Sequence, residues 1–186
     1  MTKNYLRYYD LETYLFDDVH QRFHKEGKLD AFDLFSIIVW KANRSKSKLA
    51  HRLKERAGSL EEAAAQFTRA LSEAKSPEDR LRLTMEEWGF FLPMASAILT
   101  VLWPEEFTVY DVRVCEQLAS ANMGDFGKLG NIASQRIWPR YCEYREAVNR
   151  AVPEHRKLRD KDRFLWGRSS ALQLENDIAA GFPNAT

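Results

Sequence analysis

Asp111 is the side chain that the sequence places best for acid chemistry. It follows the apolar residues 107–110 and precedes an apolar helical pattern that begins at Val112. A carboxylate in such surroundings is not expected to be freely solvated. It can stabilise a positive charge that develops on a bound substrate, or it can activate a water molecule.

The histidines and cysteines offer less chemistry. His20 and His24 stand one helical turn apart, but no Glu follows His20 and no third ligand is evident, so we interpret them as surface or half-buried histidines. Cys115 and Cys142 are the only cysteines and form no CxxC motif. We therefore expect no metal and no other cofactor, and a reducing cytoplasm as the location of the protein.

The elements that would position the acid form one apolar stretch. Gly89 can end a helix at Trp88, and Pro93 suits the first turn of the next helix. That second helix should stop before Pro104. Small residues followed by large ones at 95–99 predict that the two helices pack closely as a hairpin.

A basic segment begins where another predicted helix ends. The apolar residues 32–40 predict a helix in the middle of the protein, capped by Asp30 or Asp33. The cations that follow are opposed by one acid, Glu55; they are Lys41, Arg44, Lys46, Lys48, Arg52, Lys54 and Arg56. Such a run is either a solvated helix face or a surface for phosphates.

Composition and length predict one soluble globular domain spanning residues 1–186, or two small lobes around a cleft. The chain is 45% hydrophobic and 30% charged, and no stretch predicts a strand of convincing length, so the expected class is all-α. No apolar run approaches the roughly 20 residues that span a bilayer, and no membrane partner is expected. A net charge of +1 does not exclude nucleic acid, because local charge matters more than the total.

The order of these elements resembles the helix-hairpin-helix DNA glycosylase superfamily, with its 8-oxoguanine glycosylase-like fold. The matching residues are Leu92-Pro93, 95–102, Pro104 and Val109-Tyr110-Asp111. The resemblance implies a compact all-α fold with a helix-hairpin-helix element and a cleft between two helical lobes. Two positions depart from the family pattern: the hairpin offers the single glycine Gly89, and Arg113 stands where the family often has His.

The resemblance also implies a function: a monofunctional DNA N-glycosylase, acting as a monomer on double-stranded DNA. It would flip out a damaged or modified base and hydrolyse its bond to the sugar, leaving an abasic site. Asp111 would be the catalytic carboxylate, and Asn43 would enter the duplex where the base has left. The implied DNA contacts are Lys41, Asn43, Arg44, Lys46, Lys48, Gly89 and Arg113, and the aromatic candidates for the base pocket are Trp40, Tyr110 and Trp166.

Two other interpretations stay open. A catalytically silent DNA-binding protein could use the same scaffold, or the chain could be a helical protein-interaction module in which Asp111 only caps a helix. Trp166, likewise, either lines a base pocket or packs as a core residue. Members of the superfamily act on oxidised, alkylated, deaminated and mismatched bases, and some bacterial relatives act on modified phage DNA, so repair and antiphage defence are both open.

Overall fold

The computed structural model describes residues 5–155 and 157–182 of the chain. The protein is 76% helix, and no strand occurs among the described residues, which confirms the predicted all-α class. Within the same residues, no helix has the length and apolar character needed to cross a bilayer. The chain divides into two compact units, Met1–Phe107 (unit 1) and Thr108–Thr186 (unit 2).

Unit 1 contains seven of the α-helices in the described part of the chain. They are α1 (Leu11–Thr13), α2 (His20–Glu26), α3 (Ala31–Ala42), α4 (Lys46–Ala57), α5 (Leu60–Glu73), α6 (Pro77–Arg82) and α7 (Leu92–Leu102). Wider π-helical segments occupy Tyr14–Val19 and Leu83–Glu87, and a 3-10 turn at Asn43–Ser45 joins α3 to α4.

Helix ends in unit 1 follow the local signals in the sequence. The side chains of Asp30, Ser59 and Ser76 each accept a hydrogen bond from the amide three residues further on. Gly27 ends α2 with a φ of +70°, a left-handed conformation that glycine adopts without steric cost. α7 ends at Leu102, two residues before Pro104, as predicted.

The core of unit 1 forms where α7 packs on α2 and α3. α3 contributes Leu34, Ile37 and Ile38, whereas its first turn leaves Phe32 half exposed. In α7 every residue from Met94 to Leu102 is buried, and the small side chains at 95–97 let neighbouring elements approach closely. α7 is therefore a buried helix of unit 1, and the predicted hairpin stays a prediction.

His20 and His24 hold the end of α7. A ring nitrogen of His20 lies 3.0 Å from the Val101 carbonyl oxygen, and one of His24 lies 2.7 Å from that of Leu102. Carbonyls in the last turn of a helix have no partner within the helix, so side chains from elsewhere must satisfy them when water does not. The pair therefore has a structural role in unit 1.

Unit 2 contains three longer helices among its described residues: α8 (Val112–Ser120), α9 (Ile137–Ala151) and α10 (Leu158–Ala179). α8 packs on both α9 and α10. The loop between α8 and α9 includes short 3-10 turns at Leu129–Asn131 and Ser134–Arg136. Residues 108–111 are not helical and lead into α8.

Candidate functional site

Asp111 is the last residue before α8 and caps that helix. Its backbone is extended, with φ −143° and ψ 140°, and its Oδ1 accepts a hydrogen bond from the Arg113 amide at 3.1 Å. The residue is half-buried. The carboxylate therefore has a fixed orientation, and the helix-cap role that the sequence left open is present.

Buried side chains hold the backbone immediately before this carboxylate. The Tyr141 hydroxyl donates to the Thr108 carbonyl at 2.6 Å and accepts from its amide at 3.0 Å. The Tyr144 hydroxyl donates to the Val109 carbonyl at 2.9 Å. Asp162 accepts from the Thr108 hydroxyl at 2.9 Å and from the Val109 amide at 3.1 Å. An irregular segment thus satisfies its polar groups without secondary structure.

The charge in this network is compensated. Asp162 is only 1% exposed and forms an ion pair with Arg159 on the same helix. Burial raises the pKa of both Tyr141 and Tyr144, so their hydroxyls remain neutral donors. A buried, paired and hydrogen-bonded cluster of this kind favours one backbone conformation over others.

Tyr110 belongs to the support of the site. It is 6% exposed, its hydroxyl donates to the Phe126 carbonyl at 2.8 Å, and burial raises its pKa to about 12. Stacking on an extruded base would require this ring to leave the core of unit 2. The sequence suggested Tyr110 as a base-pocket residue, and the structure gives it a packing role instead.

Trp166 is an exposed aromatic residue of α10 that contacts Arg113, two residues after Asp111. Its side chain is 46% exposed, and the Arg113 guanidinium lies 5.5 Å from its ring centroid. Since the Arg113 amide also bonds Asp111, α8 and α10 bring an aromatic face, a cation and a carboxylate to one region of unit 2. An exposed aromatic face can stack on a planar group, and a cation beside it can pair with an anion.

Other reactive groups near Asp111 are unsuited to catalysis. Cys115 is buried, and this burial raises the pKa of its thiol to about 12, so little nucleophilic thiolate forms at neutral pH. Residues 5–155 and 157–182 hold no cluster of three or more His, Cys, Asp or Glu side chains that could bind a metal ion.

The basic segment of unit 1 forms an exposed corner between α3 and α4. Asn43 is exposed in the 3-10 turn, and Lys46 Nζ donates to its Oδ1 at 2.8 Å. Arg44 and Lys48 are exposed as well, whereas Lys41 is half-buried. An amide surrounded by accessible cations is thus available to a polyanion.

Trp40 lies at the end of α3, just before this corner. It is half-buried, and its ring meets the edge of Phe16 with 5.9 Å between the centroids. This aromatic contact within unit 1 is the usual environment of a packing residue.

Two arginines of α4 form hydrogen bonds with the backbone of the turn between α6 and α7. Sequence reasoning did not identify this role. Arg52 Nη1 donates to the Gly89 carbonyl at 2.8 Å, and Arg56 donates to the Glu87 carbonyl. The Arg56 guanidinium also lies 4.4 Å from the Trp88 ring centroid. The four-residue spacing of the two arginines was the available signal, because it places both on one helix face.

The helical segment that precedes the turn ends before Gly89, whose φ is +66°. The Phe90 amide donates to the Thr84 carbonyl at 3.1 Å, and Pro93 has no amide hydrogen. The resemblance implied Gly89 as a DNA contact and left open whether this hairpin binds phosphate. The Phe90 amide is already used within unit 1, so a phosphate at Gly89 would have to compete with that bond.

The candidate residues thus fall into two groups within separate units. Unit 1 carries Trp40, Lys41, Asn43, Arg44, Lys46, Lys48 and Gly89, and unit 2 carries Tyr110, Asp111, Arg113 and Trp166. A comparison of the chain with protein-family models, curated proteins and solved structures finds no match.

Proposed function

We propose that this protein is a monofunctional DNA N-glycosylase that hydrolyses the bond between a damaged or modified base and its sugar. The observation that supports this most is the Asp111 carboxylate, half-buried and fixed at the start of α8. The backbone before it is held by a buried network, so the carboxylate is preorganised rather than mobile. Preorganised charge is commonly the largest contribution to catalysis at such sites.

The chemistry requires one acid. As the N-glycosidic bond breaks, its electron pair leaves with the base and positive charge develops at C1′ of the sugar. Asp111 stabilises that charge and accepts a proton from the water that attacks C1′; the departed base takes up a proton from solvent, and Asp111 releases its own proton to solvent. The products are a free base and an abasic site. Trp166 and Arg113 provide a ring and a cation for the base and its neighbouring phosphate.

Unit 1 contributes DNA binding in this proposal. The segment of α6, the turn and α7 would be the helix-hairpin-helix element of the superfamily. Asn43 would hydrogen-bond the base left without a partner, while Arg44, Lys46 and Lys48 neutralise phosphates.

A screen for abasic sites tests the function directly. The full-length protein is incubated with duplexes carrying oxidised, alkylated, deaminated or mismatched bases and with modified phage genomes, and abasic sites are counted. Formation of abasic sites in one substrate class is expected. If the protein binds these duplexes but excises nothing from any of them, it is a silent DNA-binding protein.

Reversing two exposed charges at the corner should weaken DNA binding. We expect Arg44→Glu with Lys48→Glu to lower affinity at least tenfold at moderate salt, because fewer counterions are released. The slope of log affinity against log salt should fall by about two or more. Fluorescence anisotropy over a salt series measures both quantities.

The matched control for that experiment is Lys28→Glu with Lys54→Glu. It changes the net charge equally at two exposed lysines, and Lys54 lies on the opposite face of α4 from Lys48, Arg52 and Arg56. The control should keep most of the affinity. Equal losses in both variants would mean that only net charge matters and that the corner is not a specific contact.

Strand cleavage through a lysine Schiff base is not expected. The chain has no lysine between Lys75 and Lys128, so neither α7 nor the start of α8 supplies an amine. Borohydride added during turnover should trap no protein–DNA adduct, and strands should break only after heat or alkali. An adduct mapped by mass spectrometry to any lysine would replace the water mechanism with a covalent one.

A further inference from the structure

The turn between α6 and α7 presents one aromatic ring to solvent in an otherwise buried stretch. Phe90 is 2% exposed and Leu92 is fully buried, whereas Phe91 between them is 76% exposed. Pro93 beside it is exposed as well. An exposed phenylalanine forgoes roughly 1.5–3 kcal/mol of burial free energy, which is available again when the ring is covered by a partner.

The ring is presented from a rigid base. Phe67 of α5 lies 5.2 Å from the Phe90 ring centroid and 5.1 Å from that of Trp88. Arg52 bonds the Gly89 carbonyl and lies 5.3 Å from the Phe90 ring. The backbone on the N-terminal side of Phe91 is therefore fixed, and its carbonyl accepts the amides of the first turn of α7.

A row of cations leads from this turn to the Asn43 corner. Lys48, Arg52 and Arg56 are spaced by four residues and lie along one face of α4. Lys48 and Arg56 are exposed, whereas Arg52 is half-buried between them, and its Nε and Nη2 atoms are buried without a hydrogen-bond partner among the described residues. From Lys48 to Arg56 the row is about 12 Å long, at 1.5 Å per residue. That length matches about three to four nucleotides at 3.4 Å each.

The charges around Phe91 favour bases over phosphate at this end of the row. Glu86 and Glu87 are exposed immediately before the turn and would repel phosphates. An uncharged ring, by contrast, can enter the base stack, as apolar wedges do in proteins that kink DNA through the minor groove.

We propose that Phe91 is a wedge that inserts between base pairs of duplex DNA, at a step other than the one that Asn43 enters. This inference rests on the proposed function. It assigns the turn an apolar contact with bases in place of the phosphate contact implied for Gly89.

The test uses short duplexes in which 2-aminopurine replaces adenine at successive positions. Its fluorescence rises where a neighbouring base is unstacked. The full-length wild-type protein should raise the signal at two separated steps. Phe91→Ala should abolish the rise at one step and Asn43→Ala the rise at the other, and Phe91→Ala should weaken binding roughly fivefold or more.

Matched variants separate the wedge from other effects. Phe91→Leu keeps an apolar wedge and should retain most of the signal, and the salt slope should be unchanged in both Phe91 variants because no ion pair is lost. Phe164→Ala removes another exposed phenylalanine, on α10, and should behave as wild type. If Phe91→Ala keeps both the signal and the affinity, the wedge is wrong and the proposed function stands. If the wild-type protein binds no duplex, both are wrong.

Discussion

Replacing Asp111 by Asn should abolish base excision and leave the fold intact. An amide keeps the shape of the carboxylate and still accepts the Arg113 amide hydrogen bond, and Asn is as good a helix cap as Asp. It cannot neutralise a cation-like sugar, so the excision rate should fall roughly 100-fold or more. Single-turnover excision assays and thermal unfolding of the same preparation measure the two properties.

Asp125→Asn is the matched control for this experiment. Asp125 is exposed in the same unit, and its Oδ1 likewise accepts a backbone amide two residues further on, at 3.0 Å from Gly127. That variant should excise as fast as wild type. Asp111→Ala adds a loss of about 1 kcal/mol of stability by removing the cap. Full activity in folded Asp111→Asn would leave the residue with a capping role only.

Replacing Asp162 by Ala should strongly destabilise the protein. It leaves the Val109 amide and the Thr108 hydroxyl without their acceptor, and it removes the buried carboxylate that pairs with the half-buried Arg159. Breaking a buried pair in this way costs about 3–5 kcal/mol. For a chain of this length the melting temperature should fall by about 10 °C or more.

The excision rate of Asp162→Ala should fall by more than the loss of folded protein alone would cause, because residues 108 and 109 position Asp111. Chemical denaturation gives the free energy of unfolding, and excision is assayed at a temperature where the variant is folded. Asp160→Ala, on the same helix, removes a more exposed carboxylate that pairs with Arg163 and should cost less than about 1 kcal/mol. Similar losses in the two variants would show that burial of Asp162 has little energetic importance.

Helix ends were predictable because each depends on a few adjacent residues. Ser59 and Ser76 carry the signal for a cap in their own side chains, and Gly27 carries it in its backbone freedom. Hydrophobic periodicity likewise predicted α3 and α7, since a buried helix must be apolar on most faces.

The support of Asp111 was not predictable for the opposite reason. Asp162 lies 53 residues after Val109, and Tyr144 lies 35 residues after it, so no local pattern links them. From sequence, Tyr141 and Tyr144 look like ordinary members of an amphipathic helix. Only the tertiary fold shows that their hydroxyls form hydrogen bonds with the backbone of the extended segment before Asp111.

The exposure of Phe91 could not be predicted from its neighbours in the sequence. In sequence, residues 88–92 are uniformly apolar apart from Gly89, so no local signal distinguishes Phe91 from the residues beside it. Whether one side chain of such a run points outward depends on the dihedral angles of the turn, and those are fixed by Arg52 and Phe67 from other helices.

The histidine contacts at the end of α7 have a consequence for how unit 1 opens. Because His20 and His24 satisfy the Val101 and Leu102 carbonyls, α2 cannot detach without leaving these carbonyls to find new partners. The two helices should therefore open together as one cooperative unit. Deuterium should enter the amides of α2 and of the last turn of α7 at a common rate, slower than at the exposed C-terminal turn of α10.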